Sequence, residues 1–515
     1  MSAPTDSPRR LGFARIGAFA LALVIVAALG ACGATDESGG DKAKDDKAAG
    51  SKPVAMPVPA RDRYLPGFPP APKPRSEQEL RQSRRAAAAA EASGERPNFV
   101  QIWTDDQTID SMKYMPRLKR VLRRKGTTFS QYHDAQPLCC PSRATYLSGQ
   151  YPHNHHVYSN KPPTGGFGAM DFRNTFYTAL DGAGYRTGYI GKVLNVPPDT
   201  DLGVEPEPGF DDWFVELVQP KDGMRTFKVS DNGRVRNFED GPFQNDLFGK
   251  KARQFLKRDG KQPFMLTVSV FTPHWTPCQG ERGDRRECPP APAPQDRKKF
   301  DGVRFPGGPN YMPGDDAGFM DRYWRRELQS LQSVDRMIAR VVKQLKRQGE
   351  LDNTYVIFQT DNGLLHGEHA LFGKNYPWDR SVRVPLVIRG PGFPAGANRA
   401  DLTANVDVPA TILDAANVKP PRVFDGYSLL SGHERKSLLM ERLEGSNKPG
   451  RGTWRQIKTS NGYTYWQYGD GGHQRLYDLR RDPYQLENLV RKKPKLAERL
   501  RREIARVKNC AGDCP

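Results

Sequence analysis

The run Asn98-Phe99-Val100-Gln101-Ile102-Trp103-Thr104-Asp105-Asp106 passes from an apolar stretch straight into two adjacent carboxylates. Phe99 to Thr104 reads as a buried strand, with the acidic pair at its C-terminal end. The arrangement recurs: Arg186 to Ile190 leads to Lys192, Phe264 to Phe271 to Pro273-His274, and Tyr355 to Gln359 to Asp361-Asn362. Leu386 to Ile388 is a further run of this kind. Longer amphipathic segments separate these runs, so the chain is expected to adopt an α/β fold around a largely parallel sheet flanked by helices. Open sheets of this class place ligands beyond the carboxyl ends of their strands. Four separate segments therefore deliver charged or chelating groups to one edge.

Outward from these strands, Met320 to Gln348 carries Leu328, Leu331, Val334, Ile338, Val341 and Leu345 at helical spacing and closes on Gly349, which predicts a long helix whose stripe is core. Trp275 to Asp316 is rich in Pro, Gly and charge and reads as a loop insertion at the mouth of the site, with Cys278 and Cys288 expected to pair. After residue 420 the pattern changes to short alternating strands, Trp454 to Lys458 and Tyr463 to Tyr468, then a basic helix from Pro494 to Val507 with Leu496, Leu500, Ile504 and Val507 on one face. That helix reads as a packed stripe with a solvated back, not a nucleic-acid arm, and Cys510 and Cys514 are expected to close a terminal disulfide. The expected division is a main domain over 97–420 and a smaller α+β domain over 421–515.

The first 96 residues read as address and tether. Arg9, Arg10 and Arg15 precede an uncharged apolar run from Ile16 to Ala31, the layout of an export signal over residues 1–32. It ends Leu29-Gly30-Ala31-Cys32, which is similar to a bacterial lipobox and implies lipidation at Cys32 and a membrane-anchored protein facing outside the cytoplasm. A plain signal peptide or a single anchor is the alternative, although the run is short of the roughly 20 residues of a span. Residues 33–96 are Asp/Lys/Ala/Gly-rich and then Pro-rich, a composition that buries too little apolar surface to order itself and so reads as a spacer, with room for a short helix from Ser76 to Ala92. Across all 515 residues, 79 Lys+Arg against 59 Asp+Glu give a net charge of +20 and favour an anionic partner. Seven cysteines exclude a disulfide-stapled miniprotein.

The chemistry concentrates at Leu138-Cys139-Cys140-Pro141-Ser142-Arg143-Ala144-Thr145, followed by Leu147-Ser148-Gly149-Gln150-Tyr151-Pro152. Alone, this is a cysteine pair opening a helix at Pro141. With the strand-end groups in order behind it, it resembles the C-x-P-S-R signature of type I sulfatases, formylglycine-dependent members of the alkaline phosphatase superfamily. The run Gly191-Lys192-Val193-Leu194-Asn195, the Cys139 to Arg143 pattern and Tyr151 to His156 are most similar to the N-acetylglucosamine-6-sulfatase branch, and the likeness spans about Arg96 to Leu489.

The resemblance implies an alkaline-phosphatase-like body and several roles. Cys139 becomes formylglycine through a formylglycine-generating enzyme. Asp105, Asp106, Asp361 and Asn362, with the modified Cys139, hold a divalent cation; hard oxygen ligands suit Ca²⁺, with Mg²⁺ the other choice. Arg143 and Lys192 support the modified residue, while His274 and Lys374 face the sulfate and the leaving oxygen. The hydrated aldehyde explains the modification: one oxygen attacks sulfur and the second releases sulfate. Many sulfatases carry a histidine two residues after the Lys192 position, where this chain has Leu194, which leaves open the group that orients the hydrate. His366 and His369 are further candidates to line the pocket. The implied function is hydrolysis of a sulfate ester on a small molecule or glycan, such as an N-acetylglucosamine 6-sulfate unit. Phosphate or phosphonate ester hydrolysis, or an inactive surface binding protein, are the alternatives.

Overall fold

The computed structural model describes residues 96–515 apart from 258–261, 280–284, 313–316, 444–451, 470–471 and 513. The expected export signal, Cys32 and the tether up to residue 95 lie outside the described residues.

Among the described residues ten strands form the main sheet: β1 (Asn98–Thr104), β2 (Thr127–Phe129), β3 (Arg186–Gly191), β4 (Asp212–Lys221), β5 (Thr226–Asp231), β6 (Arg234–Phe238), β7 (Phe264–Ser269), β8 (Thr354–Thr360), β9 (Leu386–Arg389) and β10 (Asn398–Arg399). Their order is β10-β2-β9-β8-β1-β7-β3-β4-β5-β6. The centre, β8-β1-β7-β3-β4, is parallel, in the register Val100 to Val356 and Val100 to Leu266. Antiparallel pairs extend it at both sides, β9 on β8 and β5 on β4. The sheet is thus parallel where the site is built and mixed at its edges. All four expected strand-end clusters follow parallel central strands, so they emerge at the same edge.

The two faces of β1 show why. Alternate residues point to opposite sides of a strand. Val100 and Ile102 join Leu331, Val334, Ile338, Val341 and Leu345 of a long helix on one side. Phe99 and Trp103 join Cys140, Ala144 and Leu147 on the other. Each large apolar side chain fully buried in this way contributes about 1.5–3 kcal/mol. The four longest helices among the described residues are α1 (Cys139–Ser148), α2 (Gln244–Leu256), α3 (Ala317–Arg347) and α4 (Pro494–Val507). The Pro/Gly-rich insertion before α3 is more ordered than expected: Thr276–Gln279 and Arg285–Cys288 pair antiparallel, and Cys288 is disulfide-bonded. The Cys278 side chain lies outside the described ones.

A second, antiparallel sheet contains β11 (Ser437–Arg442), β12 (Trp454–Thr459), β13 (Tyr463–Tyr468) and β14 (Gly472–Asp478) in sequence order. The apolar stripe of α4, Leu500, Ile504 and Val507, packs on it together with Ala135, Tyr151 and Val406 of the preceding chain. Cys510 and Cys514 form the expected disulfide. No helix among the described residues is long and apolar enough to cross a membrane.

Candidate active site

The site begins where α1 starts. Leu138 is extended (φ −147°, ψ 140°) and Cys139 is the first helical residue, so its side chain stands at the positive end of the helix. Pro141 falls in the first turn, where a backbone N–H would have had no helical acceptor. The Cys140 amide, also in this turn, donates to Asn160 Oδ1 at 2.9 Å. Leu147, Ala144 and Cys140 anchor the helix in the core, which holds Cys139 against the ends of β1, β3, β7 and β8.

Nine residues singled out in the sequence meet here. Lys374 Nζ lies 2.9 Å from Cys139 Sγ and donates to Asp106 Oδ1 at 2.6 Å. Cys139 Sγ is 3.6 Å from Asp105 Oδ1. Lys192 Nζ donates to Asp105 Oδ2 at 2.6 Å. Arg143 spreads its guanidinium across both halves of the site: Nε to Asp361 Oδ2 at 2.8 Å, Nη2 to Asp105 Oδ2 at 3.1 Å, and Nη1 to the Lys192 carbonyl at 2.6 Å and Ser269 Oγ at 2.8 Å. Asp361 Oδ1 accepts the backbone amides of Asp106 and Asn362, and Asn362 Nδ2 donates to Asp106 Oδ1. His274 Nδ1 lies 2.8 Å from the Trp275 carbonyl, which can only accept; Nδ1 therefore carries a proton and Nε2 faces Asp106 Oδ2, 3.5 Å away. Asp106 sits in the left-handed region (φ 62°), an unusual conformation held at the site.

Burial sets the electrostatics. The side chains of Asp105 and Arg143 are fully buried, while that of Lys374 is 12% exposed and marks the open side. Burial acts to raise Asp105, but Lys192, His274, Arg143 and Lys374 outweigh it and hold its carboxyl well below the usual range. Asp361 moves the other way, pushed up by burial and by the neighbouring Asp105 charge. Burial and Asp105 likewise push the Cys139 thiol up, so the unmodified side chain is a neutral thiol and a poor nucleophile. Burial acts to lower Lys374, but the carboxylates, Asp106 foremost, outweigh it and push its ammonium up, so it stays charged.

One donor atom from each of Asp105, Asp106, Cys139 and His274 lies within 4.8 Å of the others. Asp106 Oδ2 and Asn362 Oδ1 are buried oxygens without a hydrogen-bond partner. Such groups are costly to bury unless something takes their lone pairs. A hard cation fits that need, and the oxygen-rich donors are of the type that Ca²⁺ and Mg²⁺ prefer.

Two other histidines stand apart from this cluster. His366 Nε2 meets Glu327 Oε2 at 2.8 Å inside a cage of Phe305, Tyr323, Trp324 and Phe372. His369 stacks on Trp378 with ring centroids 3.6 Å apart. Sequence reading missed Ser269, Asn160 and the aromatic floor under Arg143, whose guanidinium carbon is 4.8 Å from the Trp103 ring centroid. The serine closing the mostly apolar β7 is the visible signal.

The family profile described as Sulfatase matches residues 97–418, and one described as N-sulphoglucosamine sulphohydrolase, C-terminal, matches 367–509. The chain belongs to the sulfatase family, and its fold is that of alkaline-phosphatase-like sulfatases. It is similar to a putative extracellular sulfatase Sulf-1 homolog of Caenorhabditis elegans, 33% identical over 65% of this chain and 48% of that one, so it spans about half of that relative's length. It is 28% identical to the N-acetylglucosamine-6-sulfatase of Homo sapiens over 82% of this chain and 86% of that one. Among solved structures it resembles one determined in complex with its substrate, D-glucosamine-2-N,6-O-disulfate, with a TM-score of 0.64 and 22% identity over 80% of this chain and 98% of the other.

Proposed function

We propose that this protein hydrolyses the sulfate ester of a sulfated carbohydrate containing an amino sugar. The observation that carries the reading is the juxtaposition at Cys139: a buried side chain at a helix N-terminus, with Lys374 on one side and an oxygen-rich cluster on the other. The relatives' names and the amino-sugar substrate of the solved neighbour support the substrate class. The extracellular relatives support export, to which we add lipid anchoring through Cys32.

Asp105, Asp106, Asp361 and Asn362 would hold the divalent cation, Ca²⁺ in our reading, beside residue 139. Formylglycine at that position, made by a generating enzyme, would when hydrated and metal-polarised supply the oxygen nucleophile and its own route of release. The rest falls to the chain's own groups. Arg143 keeps Asp105 and Asp361 in register. Lys192 neutralises Asp105 and so restrains the charge that the carboxylates impose on an incoming anion. Lys374, at the open side, attracts the sulfate and stabilises negative charge as it develops, in a dry site where such charge is worth more than in water. His274 Nε2 is placed to move a proton, either taking one from the nucleophile or giving one to the leaving alcohol.

Mass spectrometry of the Cys139 peptide from matured protein, with turnover of N-acetylglucosamine 6-sulfate and of paired aryl sulfate and aryl phosphate, tests this reading. A formyl mass and preference for sulfate are expected; an ordinary thiol with undiminished desulfation, or preference for phosphate, overturns it.

A further inference from the structure

Lys374 occupies a stretch, 374–378, that belongs to neither helix nor strand. Nothing in its own secondary structure therefore fixes its ammonium to the 2.6 and 2.9 Å contacts it makes with Asp106 and Cys139. The partners come from the second sheet. On β12, Trp454 Nε1 donates to the Asn375 carbonyl at 3.2 Å, Gln456 Nε2 to the Pro377 carbonyl at 2.9 Å, and Lys458 Nζ to Asp379 Oδ1 at 2.7 Å. Residues 454, 456 and 458 share one face of a strand, spaced by about 6.6 Å per two residues. They meet 375, 377 and 379, the same two-residue step along the segment that carries Lys374. The stretch is fastened at other points as well: the Asn375 amide donates to the Pro137 carbonyl at 2.9 Å, beside the entry to α1, and the Asp379 amide donates to Gln485 Oε1 at 2.9 Å. The ring of Trp378 packs edge-on to Trp466 of β13 at 4.9 Å.

We infer that β12 is a positioning element for the reaction: the side chains of Trp454 and Gln456 hold the loop backbone, and Lys458 holds the Asp379 side chain at its end, so that Lys374 reaches residue 139 and Asp106. The C-terminal sheet then sets the rate of turnover at a centre to which it contributes no reacting group. This inference rests on the role given to Lys374 above. A displacement of about 1 Å is enough to cost up to a hundredfold in rate, so a loop without a ladder of its own needs such anchors.

The test is a double-mutant cycle in the matured, metal-loaded full chain, using an aryl sulfate. Lys374→Ala measures the role of Lys374 itself; an unchanged kcat there overturns that role and the positioning role of β12 with it. Gln456→Leu, which keeps the volume and removes the donor, is expected to lower kcat roughly tenfold with KM within about twofold. In the Lys374→Ala background the same change is expected to cost less than about twofold, because the group it positions is gone. Trp454→Phe is the second variant, keeping the packed ring without the N–H. Losses that multiply in the double mutant, or a kcat unmoved by both Gln456→Leu and Trp454→Phe while Lys374→Ala is crippled, overturn the positioning role.

Discussion

Replacing Arg143 by lysine keeps the charge and removes the fork, and so separates what the guanidinium does by geometry from what it does by sign. Four N–H groups of Arg143 are committed, to Asp361, Asp105, the Lys192 carbonyl and Ser269. An ammonium offers three donors from one point and cannot span carboxylates on two different strand ends. Four acceptors then meet three N–H groups, so at least one buried acceptor loses its donor, at about 1–3 kcal/mol of destabilisation. The larger figure applies if that acceptor is Asp361 Oδ2, in a fully buried residue, because Asp105 Oδ2 keeps the Lys192 ammonium. Denaturant unfolding of the variant and the parent, with divalent-metal content on the same samples, reads the effect: Arg143→Lys is expected to unfold at lower denaturant and to retain less metal. A variant with parental stability, metal content and kcat would show that charge alone suffices, and would refute the claim that the fork aligns the two halves of the site.

Cys139→Ala is expected to abolish turnover with the fold intact, and near-complete residual activity would remove residue 139 from the reaction; Cys140→Ala, whose sulfur accepts the Asn195 amide at 3.2 Å, should be far milder in a standard rate assay. Asp361→Ala should lower both metal content and rate, because its carboxylate binds Arg143 and two backbone amides at once; unchanged metal analysis would count against a ligand role. Acid should loosen the anchor between the second sheet and the Lys374 segment. Burial raises the Asp379 carboxyl, but Lys458, Arg383 and His133 outweigh it and depress it strongly. A depressed carboxylate contributes stability that is full above the unfolded value of about 3.9 and fades as pH falls below it. Asp379→Asn should therefore flatten the stability profile on the acid side, and an unaltered acid-unfolding curve would contradict this.

Much of the site was legible because its chemistry is carried by short runs. A strand ending in Asp105-Asp106, another ending in Asp361-Asn362 and a helix opening at Cys139 each announce themselves locally, and a parallel sheet brings strand ends together without further instruction. The insertion before α3 was less legible: its Pro/Gly composition reads as loop, yet Thr276–Gln279 and Arg285–Cys288 pair as a hairpin that depends on a partner strand. His366 lies in the run Leu365-His366-Gly367-Glu368-His369 and reads from the sequence as a candidate to line the pocket. Whether it faces a cavity or a core is settled by Glu327 and four aromatic rings from other segments.

The sequence by itself determined the alternation of strands and helices, the order of the acidic, cysteine and basic groups, and the stripes that pack α3 and α4, since all of these follow from periodicities of a few residues. Tertiary structure decided which oxygen each cation meets, that Arg143 bridges residues 38 and 218 positions away, and that β12 grips a segment 79 residues before it. Those pairings are set by how two sheets and a helix close on one another, and a side chain's partner across such distances leaves no local period in the chain.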